Sequence, residues 1–452
     1  MRLRLEYPAL PLLVEGTHTF MASALHRVTG SRLGVFKTKP LIDTLEFEVR
    51  DYRKFVGALM VALKEAGNVV SKVKVLPITT RGKNSELANI LNRRLRKVIE
   101  KELEYPKKEK KEKLYEWFPR MVESYTKLLG RLLSTPDGYV KTFGTEWTVE
   151  AARRRAEKLR LLTSSGQVSV PAVARTSSFY EQGRFFGLRD FKESGSVSQG
   201  AIEVKGDEHW FMLLLSSICR MLAAQVPLTG EEYCQVYVGA RLEYDKEFDH
   251  VALSRLLGLV DAARSYMNRL LFLEDIEVLR LALTLKLYLE SMRRGGFVGG
   301  ASIVVNVVKP AESRFTGMFS LEIPLDYLGI VDASMTARWG GAKLRAAEDL
   351  LRMGEMLVRI YKIPELSREI GGDRLLISYK FLCYGALEVG YKPPCEFLYD
   401  IVRILEQEDI FRMYVNFTAH RLKEEGYKEK EAQEKSVKTW RRIMQYAIRL
   451  CG

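Results

Sequence analysis

The apolar and polar positions near the start of the chain follow first the period of strands and then the period of helices. Alternation with a period of two over 1–7 and 44–49 is typical of half-buried strands. Apolar residues recur at helical spacing over 52–66, and a further strand is expected at 73–76. We therefore predict that this part of the chain is mixed α/β.

Three longer helical patterns follow, over 84–104, 114–133 and 149–162, and the first and third are rich in Lys and Arg. Between the first two, the run KKEKKEK after Pro106 predicts an exposed turn or loop. Basic side chains on these helices are candidates for binding nucleic-acid phosphates, although charge runs are also common on solvated helix faces. The candidates are Arg93, Arg94, Arg96, Lys97, Arg153, Arg154 and Arg155.

Helical periodicity disappears over 163–207, where Ser and Gly are dense. Stretches of this length without periodicity are uncommon in compact domains and often carry function. The centre of the segment mixes Arg, aromatic residues and Gly, and aromatic rings stack on unpaired bases while Arg and amide groups bind base edges. The alternative is that the phenylalanines pack into a core. The candidates are Gln182, Arg184, Phe185, Phe186 and Arg189.

The second half of the chain changes from a mixed pattern to an almost wholly helical one. An apolar run predicts a core helix over 208–226, and one or two long helices are expected over 251–294. After Leu328, helical segments separated by Pro and Gly predict a bundle. Strands are expected at 235–244, 301–308 and 315–323.

The predicted fold class is α+β, with mixed α/β N-terminal and central parts and a C-terminal helical bundle. Four parts are predicted along the chain. They are an α/β domain with basic helices at 1–162, a loop-rich segment at 163–207, a central α+β region at 208–328 and the bundle at 329–452.

Charge adds a functional expectation, because the chain carries 71 Lys and Arg against 57 Asp and Glu, a net charge of +14. The excess is regional. Residues 81–160 hold 21 basic and 12 acidic side chains, whereas 331–452 holds 21 and 18. A regional excess is typical of a surface that binds an anionic partner. DNA or RNA is the partner expected first, and an acidic protein held by a basic scaffold is the alternative.

Cysteine usage and hydropathy indicate the compartment. The chain has five cysteines and no CxxC pair, which favours free thiols in a reducing environment. Pro8 and Pro11 interrupt the N-terminal apolar stretch, so no signal peptide is expected, and the apolar segment 210–226 is too short for a membrane span. We therefore expect a cytoplasmic protein without membrane contact. Abundant Lys, Arg and Glu would also suit a thermophile.

Motifs for catalysis or cofactor binding are sparse. Gly82–Lys83 lacks the surrounding residues of a phosphate-binding loop, and the GGFVGG run at 295–300 precedes a strand rather than a helix. No histidine has a partner at metal-ligand spacing, although His18 and His26 are placed to converge if they share a helix. We therefore expect no catalytic residue, no metal and no cofactor.

The stretch Arg412–His420 leaves a catalytic alternative open. An Arg, a polar residue and a His on one helix resemble the site of HEPN-family ribonucleases, but the Arg and His are further apart here than in that family. The residues that follow resemble the end of tyrosine recombinases, with Tyr446 as the nucleophile, yet the HxxR motif of that family is absent. The favoured interpretation is a bundle helix with a buried Asn416 and a buried His420.

The order of parts resembles the large subunit of archaeal type I CRISPR surveillance complexes, especially type I-A. The shared features are an α/β N-terminal part, a loop-rich middle with Arg and aromatic residues, and a terminal helical bundle. The resemblance is architectural and spans the whole chain without a short diagnostic motif. It implies a non-catalytic protein beside the 5′ handle of the guide RNA, working with other subunits. Such subunits recognise the motif that flanks the DNA target, help to open the duplex and recruit a separate helicase–nuclease. The loop Arg184–Arg189 would then read the motif, and the basic helices would hold the backbone.

Overall fold

The chain folds as α+β, as predicted, with its described residues in two compact units. The first unit is Met1–Asn268 with Gly300–Glu322, and the second is Arg269–Gly299 with Ile323–Gly452. The second unit thus contains the segment predicted as a bundle and adds an earlier piece of the chain to it. The computed structural model describes residues 1–9, 12–39, 42–74, 114–143, 147–151, 159–163, 203–204, 208–227, 233–269, 275–310, 315–370, 372–388 and 394–451.

The first unit combines three small sheets with helices. Its strands form sheets of order β1-β3-β2-β9, β11-β10-β8-β7 and β4-β5-β6. In chain order the elements are β1 (Arg2–Pro8), α1 (Leu13–Leu25), β2 (Arg32–Lys39), β3 (Ile42–Glu48), α2 (Tyr52–Val73), α3 (Leu114–Leu132), α4 (Pro136–Phe143), β4 (Trp147–Ala151), β5 (Leu159–Thr163), β6 (Glu203–Val204), α5 (Glu208–Met221), β7 (Leu222–Pro227), β8 (Tyr233–Leu242), β9 (Glu247–Asp249), α6 (His250–Arg269), β10 (Ala301–Pro310) and β11 (Phe315–Pro324).

Helix α2 is longer than its pattern predicted. Its first turn is capped by Asp51, whose carboxylate accepts a hydrogen bond from the Lys54 N–H at 3.1 Å. The helix continues to Val73 because Ala66 and Val70 extend its buried stripe, and it ends where Lys74 adopts a left-handed conformation. The strand predicted at 73–76 is therefore wrong in its described part.

The prediction of a basic helix over 149–162 is also wrong. Two strands occupy the described parts of that range, and they pair antiparallel with Trp147 opposite Thr163. Trp147, Thr148 and Val149 are aromatic or β-branched, which favours a strand over a helix. Strand β6 adds to β5 in parallel, so pairing with a distant segment outweighs the local helical pattern.

The second sheet is completed by side chains of a helix. Strand β7 pairs with β8 only as far as Tyr237, and it begins directly after α5, so the helix predicted over 208–226 ends at Met221. Beyond Tyr237 the open edge of β8 is covered by α1. The Ala240 N–H donates to Thr19 Oγ1 at 2.8 Å, and the Leu242 N–H donates to His18 Nδ1 at 3.0 Å.

Gly239 lets α1 come this close to the strand. A Cβ at that position would lie 2.5 Å from Met221 Sδ and 3.1 Å from Thr19 Oγ1, both inside normal contact. Glycine at this position therefore allows α1 and α5 to cover the sheet without displacement of the Met221 and Thr19 side chains.

The second unit is a set of packed helices. The described helices of this unit are α7 (Ile276–Arg293), α8 (Tyr327–Trp339), α9 (Lys343–Tyr361), α10 (Pro364–Ile370), α11 (Gly372–Leu387), α12 (Pro394–Leu405), α13 (Glu408–Glu424) and α14 (Glu429–Cys451), with a 3-10 turn at Gly340–Ala342. The region predicted as one or two long helices, 251–294, separates into α6 in the first unit and α7 in the second. The carboxylate of Asp275 caps α7 by accepting the N–H groups of Glu277 and Val278, each at 3.1 Å.

The last helix is held against the rest of this unit along its length. Helix α14 packs on α13, α9 and α12. Trp440 lies against the ring of Tyr414 at 4.9 Å and that of Phe411 at 6.0 Å. Near its end, Nε and Nη2 of Arg449 donate to the carboxylate of Asp349 on α9, at 2.7 and 2.5 Å. One face of α14 is thereby fixed, and the opposite face is left to solvent.

Candidate nucleic-acid interface

The residues singled out from the sequence lie outside the described part of the structure. This holds for the two clusters of basic side chains and for the aromatic loop, so their placement stays a prediction. They are Arg93, Arg94, Arg96, Lys97, Arg153, Arg154, Arg155, Gln182, Arg184, Phe185, Phe186 and Arg189.

Among the described residues, the solvent face of α14 has the properties of a polyanion-binding surface. The buried side of the helix carries Ala432, Ser436, Trp440 and Leu450, and the opposite side is polar. That polar side borders a groove of about 660 Å³. The groove is lined by Lys430, Gln433, Glu434, Val437, Lys438, Arg441, Arg442 and Gln445.

Three cations on this face are not neutralised. Lys438, Arg441 and Arg442 are exposed, and within the described part of the chain none of them forms a salt bridge. They are close together, since a rise of 1.5 Å per residue places Lys438 and Arg442 about 6 Å apart along the axis. We call these three side chains the α14 cation cluster.

Two other basic residues of α14, on either side of the cluster, have partners. Lys435 lies over the ring of Tyr427 at 3.9 Å from its centroid and donates to its hydroxyl at 2.8 Å. Arg449 is held by Asp349, and its side-chain hydrogen bond to that carboxylate raises the pKa of the guanidinium. Lys430, in the first turn of α14, is also exposed and forms no salt bridge within the described residues, but Lys438, Arg441 and Arg442 are the three such cations that lie close together.

Helix α13, beside α14, shows the opposite arrangement. Arg412 donates to Glu408 at 2.5 Å, Lys423 bonds Glu429 and Arg421 lies 3.9 Å from Glu425. Each of these cations has a carboxylate of its own. Their salt bridges are exposed and screened by solvent, so the pairs add little stability, but they leave no concentrated positive charge.

The residues of the catalytic alternative, Arg412, Asn416 and His420, do not come together as a site on α13. His420 is 78% exposed at its side chain and lies 3.7 Å from Glu424, and Asn416 is exposed as well. The expectation that His420 and Asn416 are buried is therefore wrong. Tyr446 is buried on α14, where the guanidinium of Arg449 lies 5.1 Å from its ring centroid.

The outer face of the first sheet is charged but balanced. Arg2 and Arg32 flank Glu48 across three neighbouring strands, and Arg4 reaches Glu46 at 2.7 Å. Cross-strand pairs of opposite sign stabilise a sheet, and their fields cancel at a distance. This face is therefore a poor candidate for binding phosphates.

A buried polar cluster in the first unit has a structural explanation. Tyr7 Oη lies 2.5 Å from His18 Nε2, and Glu15 accepts the Leu12 N–H at 2.6 Å and also holds Arg241. Burial lowers the pKa of His18 to about 3, so its imidazole is neutral.

The two early histidines do not converge on a ligand. His18 bonds Tyr7 and the β8 backbone, whereas His26 Nδ1 lies 3.2 Å from the Ala22 carbonyl oxygen. Asp249 is an ordinary helix cap that accepts the Ala252 N–H at 2.7 Å. The described residues contain no group of three or more His, Cys, Asp or Glu arranged to hold a metal ion.

The α14 cation cluster was missed because charge was summed over a long segment. Residues 331–452 are nearly neutral as a whole, yet 435–452 contains five basic residues and no acidic one. Charges counted over a window of about 20 residues would have revealed this run of basic side chains. The count would not have shown which of the five are paired, since that depends on contacts with α9 and with Tyr427.

The chain was compared with protein families, curated proteins and solved structures. No family model, no curated protein and no solved structure matches it. In the described part of the chain, no helix is both long enough and apolar enough to cross a membrane.

Proposed function

We propose that this protein binds nucleic acid through its phosphates, and that the α14 cation cluster is one of the contact surfaces. The observation that carries the proposal is that Lys438, Arg441 and Arg442 form no salt bridge within the described residues, whereas Arg449 on the same helix and Arg412 on α13 are each paired with a carboxylate. Lys and Arg that meet phosphates release condensed counterions, which gives affinity without any need for sequence recognition.

The overall charge supports the same proposal. A net charge of +14 attracts polyanions, and the 81–160 region adds a second concentration of basic residues. The gap between Lys430 and Arg442 amounts to about 18 Å of helix, a length over which several phosphates of one strand fit. The Lys, Arg and Gln side chains of the groove, which it shares with Glu434 and Val437, can donate hydrogen bonds to phosphate oxygens.

We further propose that the protein acts as the non-catalytic large subunit of a type I CRISPR-like ribonucleoprotein. Support comes from the order of parts along the sequence and from the α+β class with a helical C-terminal unit. In this role the loop Arg184–Arg189 reads the motif beside the DNA target, and the cation cluster holds a backbone. Partner subunits and guide RNA supply the sequence specificity.

The test is fluorescence anisotropy with the full chain and labelled duplex DNA, single-stranded DNA and RNA, from about 50 to 200 mM salt. The variant replaces Lys438, Arg441 and Arg442 with Gln. The matched control replaces Arg412, Arg421 and Lys423 with Gln, which removes the same charge from exposed cations that are already paired.

We expect the cluster variant to bind more weakly and to lower the slope of log affinity against log salt by about 2–3. The control should leave that slope close to the parent value. Equal losses in both variants would overturn the role of α14, because they would mean that total charge alone matters. Cleavage of a probe that disappears with His420→Ala would overturn the non-catalytic assignment.

A further inference from the structure

Among the described residues of the second unit, Tyr399 has the most exposed large aromatic side chain, at 69% exposure. It lies on α12, and Arg403 follows one helical turn later on the same face and is also exposed. In the described part of the chain, neither side chain has a hydrogen bond, a salt bridge or a ring contact. The pair therefore presents an open ring face beside an unneutralised cation.

Another aromatic side chain of α12, Phe397, differs from Tyr399 because its ring is covered by a second ring. Phe381 of α11 and Phe397 of α12 stack on each other with centroids 5.3 Å apart and planes 19° apart. Each ring covers one face of the other. Tyr399 lies on a different side of α12 from Phe397, and its ring faces are available to a partner.

The same spacing recurs on α13. Phe417 is 42% exposed, and Arg421 follows it by one turn with 72% of its side chain exposed. Arg421 lies 3.9 Å from Glu425, so its charge is partly neutralised, unlike that of Arg403. Tyr399 and Arg403 are therefore the stronger of two similar pairs.

We propose that the second unit prefers single-stranded nucleic acid over duplex, with an unpaired base stacked on Tyr399 and a neighbouring phosphate held by Arg403. This inference rests on the proposed function and adds the strand state to it. A duplex hides the faces of its bases inside the helix, whereas a single strand offers them to an aromatic ring. Stacking tolerates any base, so the contact is independent of sequence.

The surroundings of Tyr399 favour this occupant over a protein partner. An aromatic anchor of a protein interface is expected within an apolar patch, whereas the described exposed neighbours of Tyr399 along its helix face are Arg403 and Glu406. A tyrosine beside an unpaired arginine, in a chain of net charge +14, complements a base and a phosphate.

The experiment compares Tyr399→Leu and Tyr399→Phe in anisotropy titrations with single-stranded DNA, single-stranded RNA and duplex DNA of equal length. Phe381→Leu is the control, because that ring is also exposed but is stacked on Phe397. We expect Tyr399→Leu to weaken single-strand binding roughly 5- to 150-fold and Tyr399→Phe to keep it. Duplex binding should change little, and circular dichroism should show that each variant folds.

The outcomes separate this inference from the proposed function. Equal affinity for single strands and duplex, with no effect of Tyr399→Leu, would overturn the inference while phosphate binding through α14 stands. A loss for Tyr399→Leu that is equal on all three probes would also overturn it, since stacking cannot act on paired bases. A protein that binds none of the probes would contradict both proposals. If Tyr399→Leu weakens binding of one single-stranded probe more than the other, that probe identifies DNA or RNA as the preferred ligand.

Discussion

The Nδ1 atom of His18 accepts the backbone N–H of Leu242 at 3.0 Å, and this bond determines where the imidazole carries its proton. A nitrogen that accepts cannot be protonated, so the neutral ring must carry its hydrogen on Nε2. Nε2 therefore donates to the hydroxyl oxygen of Tyr7, 2.5 Å away. A helix side chain thus takes the place of a missing strand at the edge of β8.

The lowered pKa of His18 predicts a pH dependence of stability. Its pKa falls from 6.5 to about 3 on folding, so the unfolded chain binds more protons between these values. The stabilisation is complete above pH 6.5 and is lost as the pH falls from 6.5 toward 3, by about 1.4 kcal/mol per unit. Urea unfolding at pH 7 and pH 5 should show this loss. In His18→Gln, the decrease in the free energy of unfolding between pH 7 and pH 5 should be smaller by about 2 kcal/mol. An unchanged decrease would show that His18 does not cause the pH dependence.

Replacing Tyr7 with Phe should destabilise the first unit. The substitution leaves the buried Nε2–H of His18 without an acceptor, which costs about 1–3 kcal/mol. Tyr52→Phe is the control. The Tyr52 hydroxyl donates to the Thr135 carbonyl oxygen at an exposed position, so water can replace it as the donor when it is removed. Chemical denaturation measures both variants. A similar small effect in the two would mean that the Tyr7–His18 bond does not matter.

The Arg449–Asp349 salt bridge should stabilise the second unit. The carboxylate of Asp349 is almost fully buried and receives two hydrogen bonds from Arg449, which ties the end of α14 to α9. Asp349→Asn should lower the free energy of unfolding by about 1–3 kcal/mol, because it leaves a cation without its partner. The exposed Glu408→Gln change at the Arg412 pair should cost less than about 1 kcal/mol. Thermal unfolding would separate the two.

Two glycines of the helical unit should respond in opposite directions to alanine. At Gly354 an added Cβ would lie 2.1 Å from Tyr379 Oη, and that hydroxyl is held by the Leu350 carbonyl oxygen at 3.2 Å. Gly354→Ala should therefore destabilise by about 1–3 kcal/mol through overpacking. Gly329 lies in α8 with nothing within 4 Å of the added Cβ, so Gly329→Ala should stabilise by about 0.5–1 kcal/mol. Loss of stability in both would refute the packing argument.

Periodicity predicted the elements whose neighbours agree with their local preference. The strand at 44–49 and the helices at 52–66 and 114–133 are confirmed, since each has one apolar face against a core. The helix expected over 149–162 is instead a pair of strands, because Trp147–Ala151 finds a partner strand in Leu159–Thr163. The periodicity of one segment does not show whether another segment will pair with it as a strand.

The sequence by itself determined the α+β class, the helical character of the last third and the net positive charge, because these follow from local periodicity and from counting side chains. Only the tertiary structure decided which charges on α14 are free. Arg449 is neutralised by Asp349, 100 residues earlier in the chain, while Lys438 and Arg442 on the same helix have no such partner among the described residues. Neutralisation depends on distance in space, which the order of residues does not record.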